Sequence, residues 1–155
     1  MIGKYVDDQL EGDVVWWYEN GNKEMEGKLN RGLREGNWKY YYHSNGVLGS
    51  EGAYSNDKET GTWIYFYETK EKWREGSYIN GLREGEWITY YENGNTLHKG
   101  SYLNGLETGV WESWYENGSK KDKGSFVKGN LSGKWNHWYE DGKLLKKKNT
   151  FTDFI

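Results

Sequence analysis

Gly85-Glu86-Trp87-Ile88-Thr89-Tyr90-Tyr91-Glu92-Asn93-Gly94 and, a few residues on, Gly100-Ser101-Tyr102-Leu103-Asn104-Gly105 decide the fold of this chain. Asn-Gly closes each run, and aromatic or β-branched residues precede it. That combination is the strongest short-range signal of a β-hairpin, because both central residues of a two-residue turn need positive φ. The stretch therefore predicts short antiparallel strands with a turn after each.

The pattern recurs along the chain, and a fixed period is the mark of a repeat architecture. With Gly as position 0, the units start at Gly12, Gly36, Gly61, Gly85, Gly109 and Gly133, spaced by 24, 25, 24, 24 and 24 residues. Position 2 is Trp38, Trp63, Trp87, Trp111 and Trp135, with Val14 in the first unit. Position 5 is always aromatic: Trp17, Tyr41, Phe66, Tyr90, Trp114 and Trp138. Position 6 is always Tyr, from Tyr18 to Tyr139. Position 15 is Gly again (Gly27, Gly52, Gly76, Gly100, Gly124), and position 17 is Leu29, Tyr54, Tyr78, Tyr102 and Phe126. Gly3-Lys4-Tyr5 matches the second half of a unit, so the array opens on a half repeat.

The spacing also predicts a register. A two-residue loop at positions 8 and 9 pairs residues whose positions sum to 17, which sets the position-2 Trp opposite the position-15 Gly. If the second turn pairs positions summing to 41, that Gly also faces the Trp of the next unit, and the position-17 ring faces a position-0 Gly on both sides. Glycine leaves room for a ring to lie across the neighbouring strand. Strand side chains alternate between faces. The rings at positions 2, 6 and 17 then share one face with the glycines, and the position-5 rings share the other with positions 3 and 14. The expected fold is all-β, an elongated single-layer antiparallel meander of about five 24-residue double-hairpin repeats. A half repeat spans 3–11, repeats start at 12, 36, 61, 85 and 109, and a terminal half repeat and cap span 133–155. No segment has helical periodicity, and no helix longer than two turns is expected.

The pattern Gly-x-Trp-x-x-aromatic-Tyr-Glu-Asn-Gly, followed by Gly-x-Tyr-x-Asn-Gly, resembles the variant MORN repeat over roughly Gly3 to Gly142. It is similar to the bacterial variant proteins often labelled antitoxins or immunity proteins. The resemblance implies a single-layer sheet and a role in protein association, with membrane-lipid binding as a further role proposed for such repeats. It implies no catalytic residues. Departures are local: Val14 stands for Trp, His43-Ser44-Asn45-Gly46 lengthens one turn, and Thr69-Lys70 replaces Asn-Gly in another.

Bulk composition narrows the function classes. Of 155 residues, 34% are hydrophobic and 18% aromatic, with 10 Trp and 14 Tyr carrying most of the apolar surface. So many rings argue against disorder. A net charge of -3 gives no electrostatic case for nucleic acid. There is no Cys for a disulfide or a thiolate metal site, and Met1 to Leu10 has no signal-like apolar core, so a cytoplasmic protein is expected. His43, His98 and His137 lack metal-ligand spacing and are expected at the surface or in turns, with no metal or cofactor bound. Ser77, Ser101 and Ser125 occupy one slot of successive units, which argues packing rather than nucleophiles. Glu35 and Glu84 likewise recur before a Gly.

What remains is the aromatic surface. Ile64, Phe66, Trp73, Ile88, Tyr90 and Leu97 are expected together on the position-5 face, and an exposed apolar patch of that kind marks an interaction site. The candidate binding residues are Trp17, Tyr41, Phe66, Tyr90, Trp114 and Trp138, with Ile64, Trp73 and Ile88. The expected function is non-enzymatic binding of a protein partner, in the manner of an antitoxin that covers a toxin or effector. The competing expectation is that the sheet buries this face on itself or in a homodimer. Two other classes are a module that stacks sugars, nucleotides or peptides on its ring stripe, and a structural or lipid-associated scaffold. Lys143, Lys146, Lys147 and Lys148 are the local support for the scaffold, and they also read as a charged strand that discourages edge pairing.

Overall fold

The computed structural model describes residues 2–6 and 8–145, which form one antiparallel sheet of twelve strands hydrogen-bonded in chain order. The strands are β1 (Ile2–Val6), β2 (Gln9–Trp17), β3 (Lys23–Asn30), β4 (Leu33–Tyr41), β5 (Leu48–Ser55) and β6 (Lys58–Phe66), then β7 (Lys72–Ile79), β8 (Leu82–Tyr90), β9 (Thr96–Leu103), β10 (Leu106–Trp114), β11 (Lys120–Val127) and β12 (Asn130–His137). No helix occurs among the described residues. At about 4.8 Å per strand the sheet is roughly 50 Å long. The expected cap lies partly outside the described residues, as do Lys146, Lys147 and Lys148.

The two kinds of turn differ, and the first departs from expectation. In the Glu-Asn-Gly turns only the Gly has positive φ, 85° at Gly94 and 84° at Gly118. Tyr91 N donates to Asn95 O at 2.8 Å, and Gly94 N donates to Tyr91 O at 2.9 Å. This is a three-residue loop ending in a left-handed residue, not a two-residue loop. The sum-of-17 register still holds, with Gly85 opposite Tyr102 and Trp87 opposite Gly100, but it slips by one at Tyr90, which faces Thr96. Lys70, with φ 78°, takes the Gly role in the turn that lacks one. The second turns are the tight ones. Asn104 and Gly105 have φ 51° and 82°, and Asn80 and Gly81 have φ 52° and 80°.

From the second turn the strands leave in a register two residues short of the expected one. Ser101 pairs with Thr108, yet Lys99 pairs with Glu112, so Gly109, Val110 and Trp111 together oppose Gly100. This bulge falls on the position-0 glycine, and all six of those glycines have positive φ, 66° at Gly109. Their conservation in the repeat thus reflects a backbone that L side chains adopt poorly. The position-17 ring accordingly faces a position-0 Gly on one side only: Tyr102 lies opposite Gly85 on β8 and opposite Glu107 on β10.

The position-15 glycines do what the pattern predicted. A Cβ at Gly27, Gly52, Gly76, Gly100 or Gly124 would stand 2.0–2.3 Å from the indole of Trp38, Trp63, Trp87, Trp111 or Trp135, the Trp of the next unit. That face, called here the ladder face, holds the core: Val14, Leu29, Trp38, Tyr54 and Trp63 are buried, with Leu10, Trp16, Met25, Tyr40, Tyr65 and Tyr78 packed around them. The face buried by side-chain packing is therefore this one, and the position-5 face is the one left open.

Hydrogen bonds between equivalent residues lock unit to unit. Position-6 hydroxyls donate to the position-5 carbonyl of the next unit, as Tyr42 Oη to Phe66 O at 2.6 Å, Tyr67 Oη to Tyr90 O at 2.7 Å and Tyr115 Oη to Trp138 O at 2.9 Å. At the opposite edge, Glu35 and Glu84 accept from the turn amides of Asn56 and Asn104 at 2.9 Å. Glutamates that looked merely periodic thus cap turns.

Candidate binding surface

On the open face a row of position-3 and position-14 residues crosses the sheet: Val15, Glu26, Lys39, Glu51, Ile64, Glu75, Ile88, Lys99, Glu112 and Lys123 follow one another through the register. The position-5 rings lie beside it. Glu75 accepts from Tyr90 Oη at 2.7 Å and pairs with Lys72 at 2.8 Å, while Glu26 accepts from Tyr41 Oη and pairs with Lys23. Lysine nitrogens also stand over the rings, Lys99 at 5.8 Å from Trp114 and Lys120 at 5.7 Å from Trp138. The face is a mosaic of rings and ion pairs rather than a bare apolar stripe.

Electrostatics follow from those contacts. The Lys72 hydrogen bond holds the Glu75 carboxyl below its ordinary range, with Tyr90 adding to it against burial. Lys23 and then Tyr41 do the same for Glu26, and Lys120 for Glu112. Burial, reinforced by Glu75, pushes the Tyr90 phenol up to about 12. These groups keep their ordinary charges at neutral pH.

Trp17, Tyr41, Phe66, Tyr90, Trp114, Trp138, Ile64 and Ile88 all fall on this face by alternation from the ladder tryptophans. Trp73 does not. The slip at the first turn sends its ring to the ladder face, 6.3 Å from Tyr65 and 6.1 Å from Tyr67, and Leu97 occupies the same slot. In compensation the open face carries apolar residues that the pattern did not single out. Ile79 and Leu82 flank one tight turn, Leu103 and Leu106 the next, and Val127 the third. With Val110 they are 48–57% exposed. Exposed β-branched and Leu residues on both sides of Asn-Gly were the available signal.

Of the histidines, His43 is exposed in a turn as expected, and the other two are placed differently. His98 sits on β9, half-buried and stacked on Trp111 at 5.9 Å, and burial lowers its pKa. His137 Nδ1 is 2.6 Å from Asp122 Oδ1, and Ser113 Oγ donates to Asp122 Oδ2 at 2.7 Å. In a nucleophilic triad the imidazole stands between hydroxyl and carboxylate. Here the carboxylate stands between the other two. Among the described residues no group of three His, Cys, Asp or Glu could hold a metal ion.

Comparison with curated proteins returns no match. The variant form of the MORN repeat matches at residues 10–29, 59–80, 83–104, 107–128 and 131–152. Each match opens two residues before the bulge glycine, and the first four each span one first-turn hairpin. The hairpin it passes over, β4 with β5, is the one lengthened at Ser44-Asn45-Gly46, yet its strands pair like the rest. MORN repeats are often involved in binding or in association with membranes. By repeat, register and glycine–tryptophan ladder, the chain belongs to the MORN repeat variant family.

Proposed function

We propose that the chain is a non-enzymatic binding protein that docks a protein partner on the open face of its C-terminal half. The observation that carries this is the run Ile79, Leu82, Leu103, Leu106, Val110 and Val127, 48–57% exposed on consecutive strands, with the charged row between it and Tyr90 and Trp114 at the far ends of β8 and β10. Apolar side chains on five adjacent strands leave a contiguous patch of the kind that marks an interface. The alternating Glu and Lys rows that border it favour a protein, which can match both signs, over a uniformly anionic lipid surface or nucleic acid. The specific role in keeping with the family is that of an antitoxin or immunity protein, covering the working surface of a toxin or effector. Phe66, Tyr90 and Trp114 are the ring anchors of this reading.

The test is photo-crosslinking in the source cell from a probe at Leu103 or Val110, against the same probe at Asn37 or Lys58 on the polar end of the face. A protein captured only from the C-terminal positions is then titrated by calorimetry against wild type and against Leu103→Glu with Leu106→Glu. A loss of about 2 kcal/mol or more, with unchanged melting, supports the reading. Equal capture from both ends, or full affinity in the folded double variant, overturns it. Capture of another copy of the chain would make the patch a homodimer interface instead.

A further inference from the structure

Two arginines on the ladder face approach one indole from opposite directions. Arg74 on β7 places its guanidinium carbon 5.9 Å from the Trp87 ring, 4.3 Å from Tyr65 and 4.5 Å from Trp73. Arg83 on β8 lies 4.9 Å from Trp87 and 5.1 Å from Tyr102, and its Nη1 donates to Tyr102 Oη at 3.0 Å. Neither has a carboxylate within salt-bridge distance among the described residues. The Arg74 side chain makes no hydrogen bond there, and its Nε is buried without an acceptor. Of the carboxylates flanking this row, Glu59 reaches toward the turn glycine Gly81, and Glu107 reaches toward Gly129 and interacts with Tyr102.

The repeat shows what chemistry suits such an arginine. Arg34 holds the slot equivalent to Arg83 two hairpins earlier, and Asp57 takes its charge: Arg34 Nε to Asp57 Oδ1 is 2.7 Å, with Arg34 N on the same oxygen at 2.9 Å. The backbone of that contact is repeated, Asp57 N donating to Arg34 O at 3.0 Å and Gly105 N donating to Arg83 O at 2.9 Å. The side chain is not repeated. Gly105 stands where Asp57 stands, and Thr89 where Tyr40 supplies a hydroxyl to Arg34.

We propose that Arg74 and Arg83 form a carboxylate-recognition site around Trp87, which binds an acidic peptide segment of a protein partner. Two acidic side chains reach the guanidiniums on either side of the indole, and the segment between them crosses over the ring, which is 5% exposed. A guanidinium presents paired donors that match a carboxylate, and bonds between two charged groups are the strong ones. A peptide is favoured over a lone anion because the two cations are separated by a ring. A single small ion reaches one of them, whereas alternate residues of an extended segment reach both. The site is on the opposite face from the docking surface proposed above, and each stands or falls separately.

The experiment titrates the full 15N-labelled chain with an acetylated Gly-Glu-Leu-Glu-Gly peptide and with its Gln counterpart. Saturable shifts are expected at the Arg74 Nε and Trp87 Nε1 resonances and not at Trp38 Nε1, with the Gln peptide about tenfold weaker. Arg74→Gln and Arg83→Gln should each weaken binding by about the same factor. The deciding variant is Gly105→Asp, which restores the missing carboxylate and leaves Arg83 in place. Asp57 already adopts φ 66° at that slot, and a Cβ at Gly105 meets Leu82 Cδ2 at 3.5 Å, an ordinary contact. It should lower the affinity about tenfold without lowering the melting temperature. The proposal is overturned if the Gln peptide binds equally well, or if Gly105→Asp leaves binding intact. It is also overturned if inorganic phosphate or phosphatidylserine vesicles bind these residues more tightly than the acidic peptide. Should the arginine variants fail to fold, Gly105→Asp alone decides.

Discussion

In the first half of the sheet Val14 and Trp38 are 1% exposed, and Trp16, Met25, Tyr40 and Tyr65 close over the ladder. In the second half the same rows hold Thr89, His98, Ser113, Asp122 and His137, and Trp111 and Trp135 are only partly covered. The indole nitrogens record the difference. Those of Trp38, Trp63 and Trp87 donate to Lys28 O, Ala53 O and Ser77 O at 3.1–3.2 Å, whereas those of Trp111 and Trp135 are buried without a partner. The open face runs the other way. Asn30, Ser55, Lys58 and Asn37 occupy the slots that become Ile79, Leu103, Leu106 and Val110, although Val6 and Leu33 leave two apolar side chains exposed in the first half as well. One backbone, set by glycines and turns, thus carries a core on one face at one end and exposed apolar residues on the other face at the other end. Stability and binding are divided along the array.

The largest test of that division is truncation of the ladder. Trp38→Ala should cost about 3–5 kcal/mol, the usual loss for a buried ring, and Trp135→Ala less than half as much. Denaturant midpoints measure both, and equal losses would erase the difference between the halves. Next in size is overpacking. Gly100→Val or Gly124→Val should cost about 1–3 kcal/mol, since the new side chain meets an indole, whereas Val at Thr96 should cost little. Gly52→Val should be the most damaging of the set, because Trp63 is 3% exposed and has nowhere to swing. Uniform responses at Gly52, Gly124 and Thr96 would break the glycine–tryptophan account.

The success of the repeat reading has a physical limit visible in these residues. Gly27, Gly52, Gly76, Gly100 and Gly124 were legible because a steric demand forces one residue type into one slot in every unit. Asn-Gly likewise announced the tight turns. Trp73 was misplaced because the three-residue loop, which differs from a two-residue loop by one Cα, flips one side chain to the other face. The bulge at Gly109 escaped for the same reason: a periodic pattern reports that a glycine is needed without saying whether φ or room demands it. Slots that vary between units, such as the Asp57/Gly105 pair, carry no periodic signal. Their meaning emerges only when equivalent backbones are laid side by side.

The hydroxyl stitches should be indifferent to which half they serve. Tyr42→Phe and Tyr115→Phe each remove one hydrogen bond of equal kind, and each should cost about 0.5–1.5 kcal/mol. A cost confined to Tyr42 would mean that the C-terminal units are not held by these bonds, and that their order comes from the neighbouring half.

The smallest expected effect is the pH response of the polar row, read through His98. Burial against Trp111 lowers its folded-state pKa below the unfolded value of 6.5. Above that value the imidazole is neutral in both states and adds no pH dependence. As pH falls through it the unfolded chain takes up the proton first, so stability is lost from just above 6.5 down to the folded pKa. The open-face carboxylates Glu26, Glu75 and Glu112 are depressed instead, so their stabilising contribution is kept above the ordinary carboxylate range and disappears only in stronger acid. His98→Met, which copies Met25 of the first half, should therefore melt with less pH dependence than wild type as pH falls below 6.5 toward the folded-state pKa of His98. Identical melting profiles through that range would mean that His98 is solvated in both protonation states, and that the ladder face at this end is open to water.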